Sequence, residues 1–291
     1  MSLRARYWKM QSSPTSSARE LLRAFRATHA SRTHLIGEHS WVVIDGGRGE
    51  PPLVLLPAAG GSAESQFQLI DRFEKHARVI SIGCPATLTR VADAVTGIHA
   101  ILNDLSVQSC YLLGQSLGGI FAQVYASAFP ERVEGLILAN TARYSTRRAR
   151  IVRMALSSAR HLPRKAVVTL LGARVKRLLH GHPDRDFWLE YFGRDELERV
   201  GKRGIANLGA CVADSVRHAD GPRYVGRTLI IESDNDTAFT PAERQALRES
   251  YPQAKMCVFQ GAGHLSGITR REEFLAQVAE FMEPSQSPQL R

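Results

Sequence analysis

Short apolar runs that alternate with stretches of helical periodicity are the feature that most limits the folds open to this chain. Three such runs are residues 53–56, 79–82 and 110–113, and helical spacing follows the last two over 88–105 and 117–128. An unbroken apolar run of this length is typical of a strand buried on both faces, and intervening helices allow parallel pairing. The rhythm therefore predicts an α/β fold class with a mostly parallel central sheet and helices on both faces.

The same rhythm divides the chain into segments. It stops near Thr141 and resumes with the apolar runs 228–231 and 256–259, and only helical patterns lie between. These patterns predict an all-helical insert between two strands of the sheet. Because open α/β sheets bind ligands beyond the carboxyl ends of their strands, the insert is predicted to form a lid over that edge. The predicted boundaries are a disordered N-terminus 1–14, a core of 15–142 and 223–282, a helical lid 143–222 and a disordered tail 283–291.

The charge of the chain is unevenly distributed. The formal net charge is +10, and no Asp or Glu occurs between Gly135 and Pro183, where eleven Arg and Lys residues stand. Such a field fits an anionic small-molecule substrate, a carrier-protein or coenzyme A thioester, or a membrane surface. The alternative is a solvated face in which arginine replaces lysine, since 32 of the 38 basic residues are arginine. We find no nucleic-acid-reading motif, so no nucleic-acid partner is expected.

The cysteines and the apolar runs bear on compartment and cofactors. The four cysteines are widely spaced, without a CxxC pair or metal-ligand spacing, so we expect neither a disulfide framework nor a metal site, and a cytoplasmic location. No run approaches the ~18 apolar residues of a membrane span. The first 35 residues are basic and poor in acids, as in a transit peptide, but their arginine–leucine spacing favours a short amphipathic helix over 15–28.

The strongest chemical motif is GQSLGG, residues 114–119, which joins an apolar run to a helical stretch. A serine on so sharp a strand-to-helix turn takes a strained backbone conformation, and its neighbours two positions away come close together. Gly114 and Gly118 provide the room that this turn needs. The motif therefore predicts Ser116 as a nucleophile, with the backbone N–H of Leu117 at the helix N-terminus as an oxyanion donor.

A nucleophilic serine needs a base and an orienting acid, expected in the chain order Ser, Asp, His. The predicted base is His264, because it stands in the glycine-rich GAGH loop after a late apolar run. Three acids compete in ESDND. Glu232 is expected to belong to the preceding strand, and Asp236 is our choice because the loop can turn back towards His264 from there. Asp234 is the second candidate for the acid, and a structural role in a turn or as a helix N-cap is the alternative for it.

A second oxyanion donor is expected from the loop after residues 53–56. In LLPAAGGS, the backbone N–H of Ala59 has the right position, and an ordinary glycine turn is the alternative. The sequence implies no metal or organic cofactor.

Taken together, LLPAAGG, GQSLGG, SDND and GAGH resemble the oxyanion loop, nucleophile elbow, acid turn and histidine loop of the α/β-hydrolase superfamily, over residues 25–282. Pro57-Ala58 stands where the superfamily commonly has His-Gly. Within the superfamily, FRATH, LLPAAGGSAES, SIGCPATLT and GQSLGGIFAQVYA are most similar to the maspardin-like branch. Maspardin is better known as an interacting protein than as an enzyme, so this resemblance also implies a binding role.

The motifs predict a serine hydrolase that cleaves an ester-like or thioester-like acyl substrate through an acyl-enzyme intermediate. Two alternatives stay open. One is a non-hydrolytic enzyme on the same scaffold, such as a lyase or cyclase, and the other is a maspardin-like binding or adaptor protein. A complete Ser–His–Asp set favours an enzyme, because a pure binding protein does not need all three residues.

Overall fold

The computed structural model describes residues 17–179, 181–218 and 223–283 of the chain. The N-terminal residues 1–14 predicted to be disordered lie outside this range, as does the predicted tail except for Glu283. The eight strands are β1 (Arg32–Ile36), β2 (His39–Gly46), β3 (Leu53–Leu56), β4 (Val79–Ile82), β5 (Cys110–Gln115), β6 (Val133–Ala139), β7 (Thr228–Ser233) and β8 (Lys255–Phe259).

All eight strands form one sheet in the order β1-β2-β4-β3-β5-β6-β7-β8. Strands β1 and β2 pair antiparallel, as do β2 and β4, and the other five pairs are parallel. The mostly parallel sheet expected from the sequence is therefore confirmed. Because β5 lies at the centre, the turn that follows it is supported by a strand on each side.

Helices cover both faces of the sheet. The core helices are α1 (Ala18–Thr28), α2 (Phe67–Phe73), α3 (Val91–Asp104), α4 (Leu117–Ala128), α9 (Pro241–Ser250), α10 (Ser266–Thr269) and α11 (Arg271–Met282). Successive side chains of a strand point to opposite faces, so Val54 and Leu56 pack in one core with α3 and α4, whereas Leu53 and Leu55 pack in another with α1, α2 and α11.

Between β6 and β7 the described residues form helices only. These are α5 (Thr146–Ser158), α6 (Arg164–Leu178), α7 (Arg185–Glu190), a π-helical turn Tyr191–Asp195, α8 (Glu196–Ser215) and a short 3₁₀ turn Val216–His218. We refer to α5–α8 as the helical insertion. Within the described residues, no helix combines the length and apolar character that crossing a bilayer requires.

Candidate active site

Ser116 occupies a strained turn between β5 and α4. Its backbone angles are φ +52° and ψ −116°, in a region that non-glycine residues rarely adopt. Such strain costs on the order of 1–3 kcal/mol and persists only where neighbouring structure holds it. The Ser116 N–H donates to the carbonyl of Ala139 at 3.0 Å, and the Ser116 carbonyl accepts from the Thr141 hydroxyl at 2.7 Å. Ala139 is the last residue of β6 and Thr141 lies two residues beyond it, so the neighbouring strand and the residues that follow it hold the turn.

The glycines around Ser116 are required by close backbone contacts. A Cβ atom on Gly114 would lie 2.6 Å from the Cα of Gly119, and one on Gly118 would lie 2.7 Å from the carbonyl carbon of Leu56. Real Cβ atoms essentially never come so close to backbone. The crowding expected from the sequence is thus confirmed, and it includes a contact between α4 and the end of β3.

Three polar side chains meet at the carboxyl edge of the sheet. The Nε2 atom of His264 lies 3.0 Å from the Ser116 hydroxyl, and its Nδ1 lies 2.8 Å from Oδ2 of Asp236. His264 is 8% exposed and Asp236 is 5% exposed. The three residues thus form one hydrogen-bonded line with the imidazole between serine and carboxylate.

The other two acids of the turn have different contacts. Glu232 lies in β7 and forms an ion pair with Arg248. The Asp234 carboxylate accepts a hydrogen bond from the Gly261 N–H at 2.8 Å, so it supports the loop that carries His264. Of the three candidates, Asp236 is therefore the acid whose carboxylate contacts the imidazole.

The environment of Asp236 keeps its carboxyl group ionised. Burial by itself raises the pKa of Asp236, but the hydrogen bond and charge of His264, together with the Ala238 N–H and the Asn140 amide, lower it below its ordinary value. The Ala238 N–H donates to Oδ1 of Asp236 at 2.8 Å. A carboxylate held in this way can fix the imidazole tautomer and stabilise an imidazolium.

Asn140 is a site residue that the sequence reasoning missed. It is 1% exposed, has φ +43°, and its amide nitrogen donates to Oδ2 of Asp236 at 3.4 Å and to the carbonyl of Gly263 at 3.2 Å. Its side-chain oxygen accepts from the Ser266 hydroxyl at 2.5 Å. The side-chain oxygen of Asn235 accepts a further hydrogen bond, from the Gly263 N–H at 2.7 Å. The available signal was position, because Asn140 directly follows β6, where a carboxylate could also have stood.

A cavity of about 330 Å³ opens beside Ser116. Its lining includes Ser116, His264, Leu117 and the loop residues Ala58 and Ala59, so the serine and the residues of both expected oxyanion donors line the same cavity. The rest is mainly apolar. The helical insertion contributes aromatic, aliphatic and charged side chains, among them Leu156, Leu171, Arg174, Trp188, Phe192 and Glu196.

The polar lining defines what the cavity can bind. Arg174 is the only cationic side chain in that lining, and within the described residues it is not part of any ion pair. Burial raises the pKa of Tyr144, another lining residue, to about 12, against the opposing charges of Arg174 and Arg148. The ring of Tyr144 lies 5.3 Å from that of Phe239, which is 5.7 Å from the ring of His264. Arg174 thus places a positive charge in the lining of a mainly apolar cavity.

Comparisons with known proteins agree with this architecture. A proline iminopeptidase from Lactobacillus helveticus (strain DPC 4571) is 23% identical over 285 residues, covering 85% of this chain and 95% of the relative. An (E)-2-((N-methylformamido)methylene)succinate hydrolase from Acinetobacter baylyi is 26% identical over 168 residues, covering 55% of this chain and 57% of the relative. The crystal structure of the enol-lactonase from Burkholderia xenovorans LB400 superposes with a TM-score of 0.72 at 20% identity, covering 86% of this chain and 99% of that one.

The alpha/beta hydrolase fold family matches residues 51–270, which is most of the chain and contains all three residues of the hydrogen-bonded line. The sheet order, the strained serine turn and this match agree with one another. The chain therefore belongs to the α/β-hydrolase fold family.

Proposed function

We propose that this protein is a serine hydrolase that cleaves an ester-like or thioester-like acyl substrate. The observation that carries the proposal is the hydrogen-bonded line, in which His264 lies 3.0 Å from the Ser116 hydroxyl and 2.8 Å from the Asp236 carboxylate. Nucleophile, base and orienting acid need this geometry. The relatives named above include an iminopeptidase and a succinate-derivative hydrolase, which supports hydrolysis as the reaction class.

The reaction has two halves in this proposal. The Ser116 oxygen attacks the substrate carbonyl carbon while His264 takes the hydroxyl proton. The bond to the leaving group then breaks as His264 donates that proton to the leaving group. Water then attacks the acyl carbon of the acyl-enzyme while His264 takes one proton from that water. His264 donates this proton to the Ser116 oxygen as the acyl–oxygen bond breaks and the acid is released. The backbone N–H groups of Leu117 and Ala59 are assigned to the developing oxyanion, and loss of one such donor typically costs ~10²–10³ in kcat.

We also assign substrate selection to the helical insertion, which acts as a lid in this proposal. Its apolar side chains in the cavity suit an acyl chain, and Arg174 suits a carboxylate or another anion on the substrate. The Acinetobacter relative is named for a succinate derivative, which carries carboxylate groups and is consistent with an anionic substrate. The maspardin-like resemblance stays a prediction.

The direct test is covalent labelling of the purified protein with a small fluorophosphonate, read by intact mass. We expect one adduct on the wild type and none on Ser116→Ala, with labelling of His264→Ala slowed by at least about 10³-fold, because the base activates the serine. A panel of p-nitrophenyl esters, a thioester, a lactone and prolyl p-nitroanilide then ranks the leaving groups. Folded wild-type protein that neither forms an adduct nor turns over any of these compounds would contradict the proposal and favour the adaptor alternative.

A further inference from the structure

We propose that Glu196 is a positioning residue that holds the oxyanion loop, residues 57–62, in its active shape from the helical insertion. This inference rests on the proposed function, and it concerns a residue far from Ser116 in the sequence. Glu196 is the first residue of α8, directly after the π-helical turn, and is 8% exposed. π-helical turns are rare and are frequent at functional sites, because they change which side chains face a neighbouring element.

The Glu196 carboxylate binds the loop directly. Its Oε1 accepts the Ser62 N–H at 3.3 Å and also accepts a short hydrogen bond from the Ser62 hydroxyl. The hydroxyl of Tyr191, in the π-helical turn, lies 3.1 Å from the same Ser62 oxygen. Two consecutive elements of the insertion therefore contact one residue of the loop.

Arg199 completes this contact from one turn further along α8. Its Nε donates to Oε2 of Glu196 at 2.9 Å, and its guanidinium also donates to the carbonyl of Gly60. A buried carboxylate is costly unless its charge is paired and its oxygens are hydrogen-bonded, and this arrangement meets both conditions. The ion pair thus binds both an N–H and a carbonyl group of the loop, at Ser62 and at Gly60.

The loop conformation depends on these contacts. Gly60 has φ +74°, and the Gly61 N–H donates to the carbonyl of Ala58 at 2.8 Å, so the chain turns sharply around Ala59. A Cβ on Gly60 would lie 3.1 Å from the side chain of Val200, so α8 also packs against the turn. Ala59 directly precedes the anchored Gly60 and belongs to the turn that the Gly61 N–H closes, so the direction of its N–H follows the position of α8.

The same contacts argue against a direct role of Glu196 in binding substrate. Glu196 lines the cavity, but Oε1 already accepts two hydrogen bonds from Ser62 and Oε2 accepts from Arg199. A misplaced oxyanion donor weakens an interaction that exists mainly in the transition state. Loss of the Glu196 contacts should therefore lower kcat and leave KM nearly unchanged. Loss of a substrate contact would instead raise KM.

The experiment compares kcat, KM and thermal stability of the wild type, Glu196→Gln, Glu196→Ala and Ser62→Ala on one p-nitrophenyl ester. We expect kcat of Glu196→Ala to fall about 10–10²-fold, as for a displacement near 1 Å, with KM within about twofold. Glu196→Gln retains an acceptor for Ser62 and should recover part of the loss. The control is Glu198→Gln, an exposed neighbour whose carboxylate pairs with Arg164, and it should behave as wild type.

A transition-state analogue provides the second readout. A trifluoromethyl ketone forms a tetrahedral adduct with the serine, and its affinity should fall in Glu196→Ala by the same factor as kcat/KM. An unchanged kcat, or a raised KM with kcat retained, overturns the positioning role. If Glu196→Ala does not fold, Glu196→Gln and Ser62→Ala decide by the same criteria. Failure of the proposed function is distinguishable, because the wild type would then show no fluorophosphonate adduct and no turnover.

Discussion

The Asp236 carboxylate is held by three kinds of donor: the His264 imidazole, the Ala238 N–H and the Asn140 amide. Burial raises the pKa of Asp236, yet these donors together bring it below its ordinary value. A carboxyl group with a lowered pKa in the native state stabilises the fold above its unfolded-state pKa of ~4. That stabilisation is lost as the pH falls through the lowered native pKa.

Replacement of Asp236 by Asn tests both consequences. We expect kcat to fall by about 10⁴ at neutral pH, because the amide favours the wrong imidazole tautomer. In urea unfolding, the stability difference between wild type and Asp236→Asn should be largest above pH 4 and should shrink as the pH is lowered towards 2. A difference that stays constant over this range would show that the pKa of Asp236 is the same in the native and unfolded states, contrary to the lowering described here.

At the scale of elements, the turn at Ser116 depends on how closely α4 approaches the ends of β3 and β6. Gly118 permits the contact with β3, and Gly119 lies so near Thr141 that a Cβ there would be 2.6 Å from the Thr141 Cβ. Strand pairing and helix packing thus act on the same few residues around Ser116. The strain in the serine backbone is maintained by this packing rather than by the turn alone.

The variant Gly118→Ala tests that packing. The added Cβ would contact the Leu56 and Pro57 carbonyl groups, and backbone cannot yield as a flexible side chain does. We expect a loss of about 1–3 kcal/mol in free energy of unfolding and slower fluorophosphonate labelling of Ser116. The matched control is Gly172→Ala in α6, where the new Cβ meets nothing within 4 Å and should stabilise the helix slightly. Equal effects of the two substitutions would contradict this account.

At the scale of the whole molecule, charge and cavity are arranged together. The acid-free segment between Gly135 and Pro183 contains α5 and α6, and both helices also line the cavity. Only one of the segment's basic side chains, Arg174, reaches that lining within the described residues. Long-range attraction can raise the local concentration of an anionic substrate, and a contact within the cavity can select it.

Arg174→Gln tests this selection with two esters of similar size, mono-p-nitrophenyl glutarate and p-nitrophenyl butyrate. We expect the preference of kcat/KM for the anionic ester to fall about fivefold in the variant, which corresponds to ~1 kcal/mol for a partly exposed ion pair. Added salt should reduce the same preference in the wild type. Arg177→Gln is the control, because it lies on the same helix outside the cavity lining. An unchanged preference in Arg174→Gln would exclude the assigned contact.

The sequence by itself determined the elements and their order. Strands predicted at residues 79–82 and helices predicted at 117–128 are found at those positions, and α1 begins three residues after the predicted start at residue 15. These predictions succeed because apolar periodicity and glycine spacing act over a few neighbouring residues. The sharp turn at Ser116 belongs to the same class, since strand, glycines and helix are all adjacent in the chain.

Only the tertiary structure decided which groups contact one another. Asp234 and Asp236 lie in one turn with similar spacing, and the direction of each side chain depends on how β7 pairs with β8. Asn140 is 96 residues from Asp236, and Glu196 is 134 residues from Ser62. No local pattern relates residues so far apart, because their contact arises from the packing of the whole sheet and the helical insertion against it.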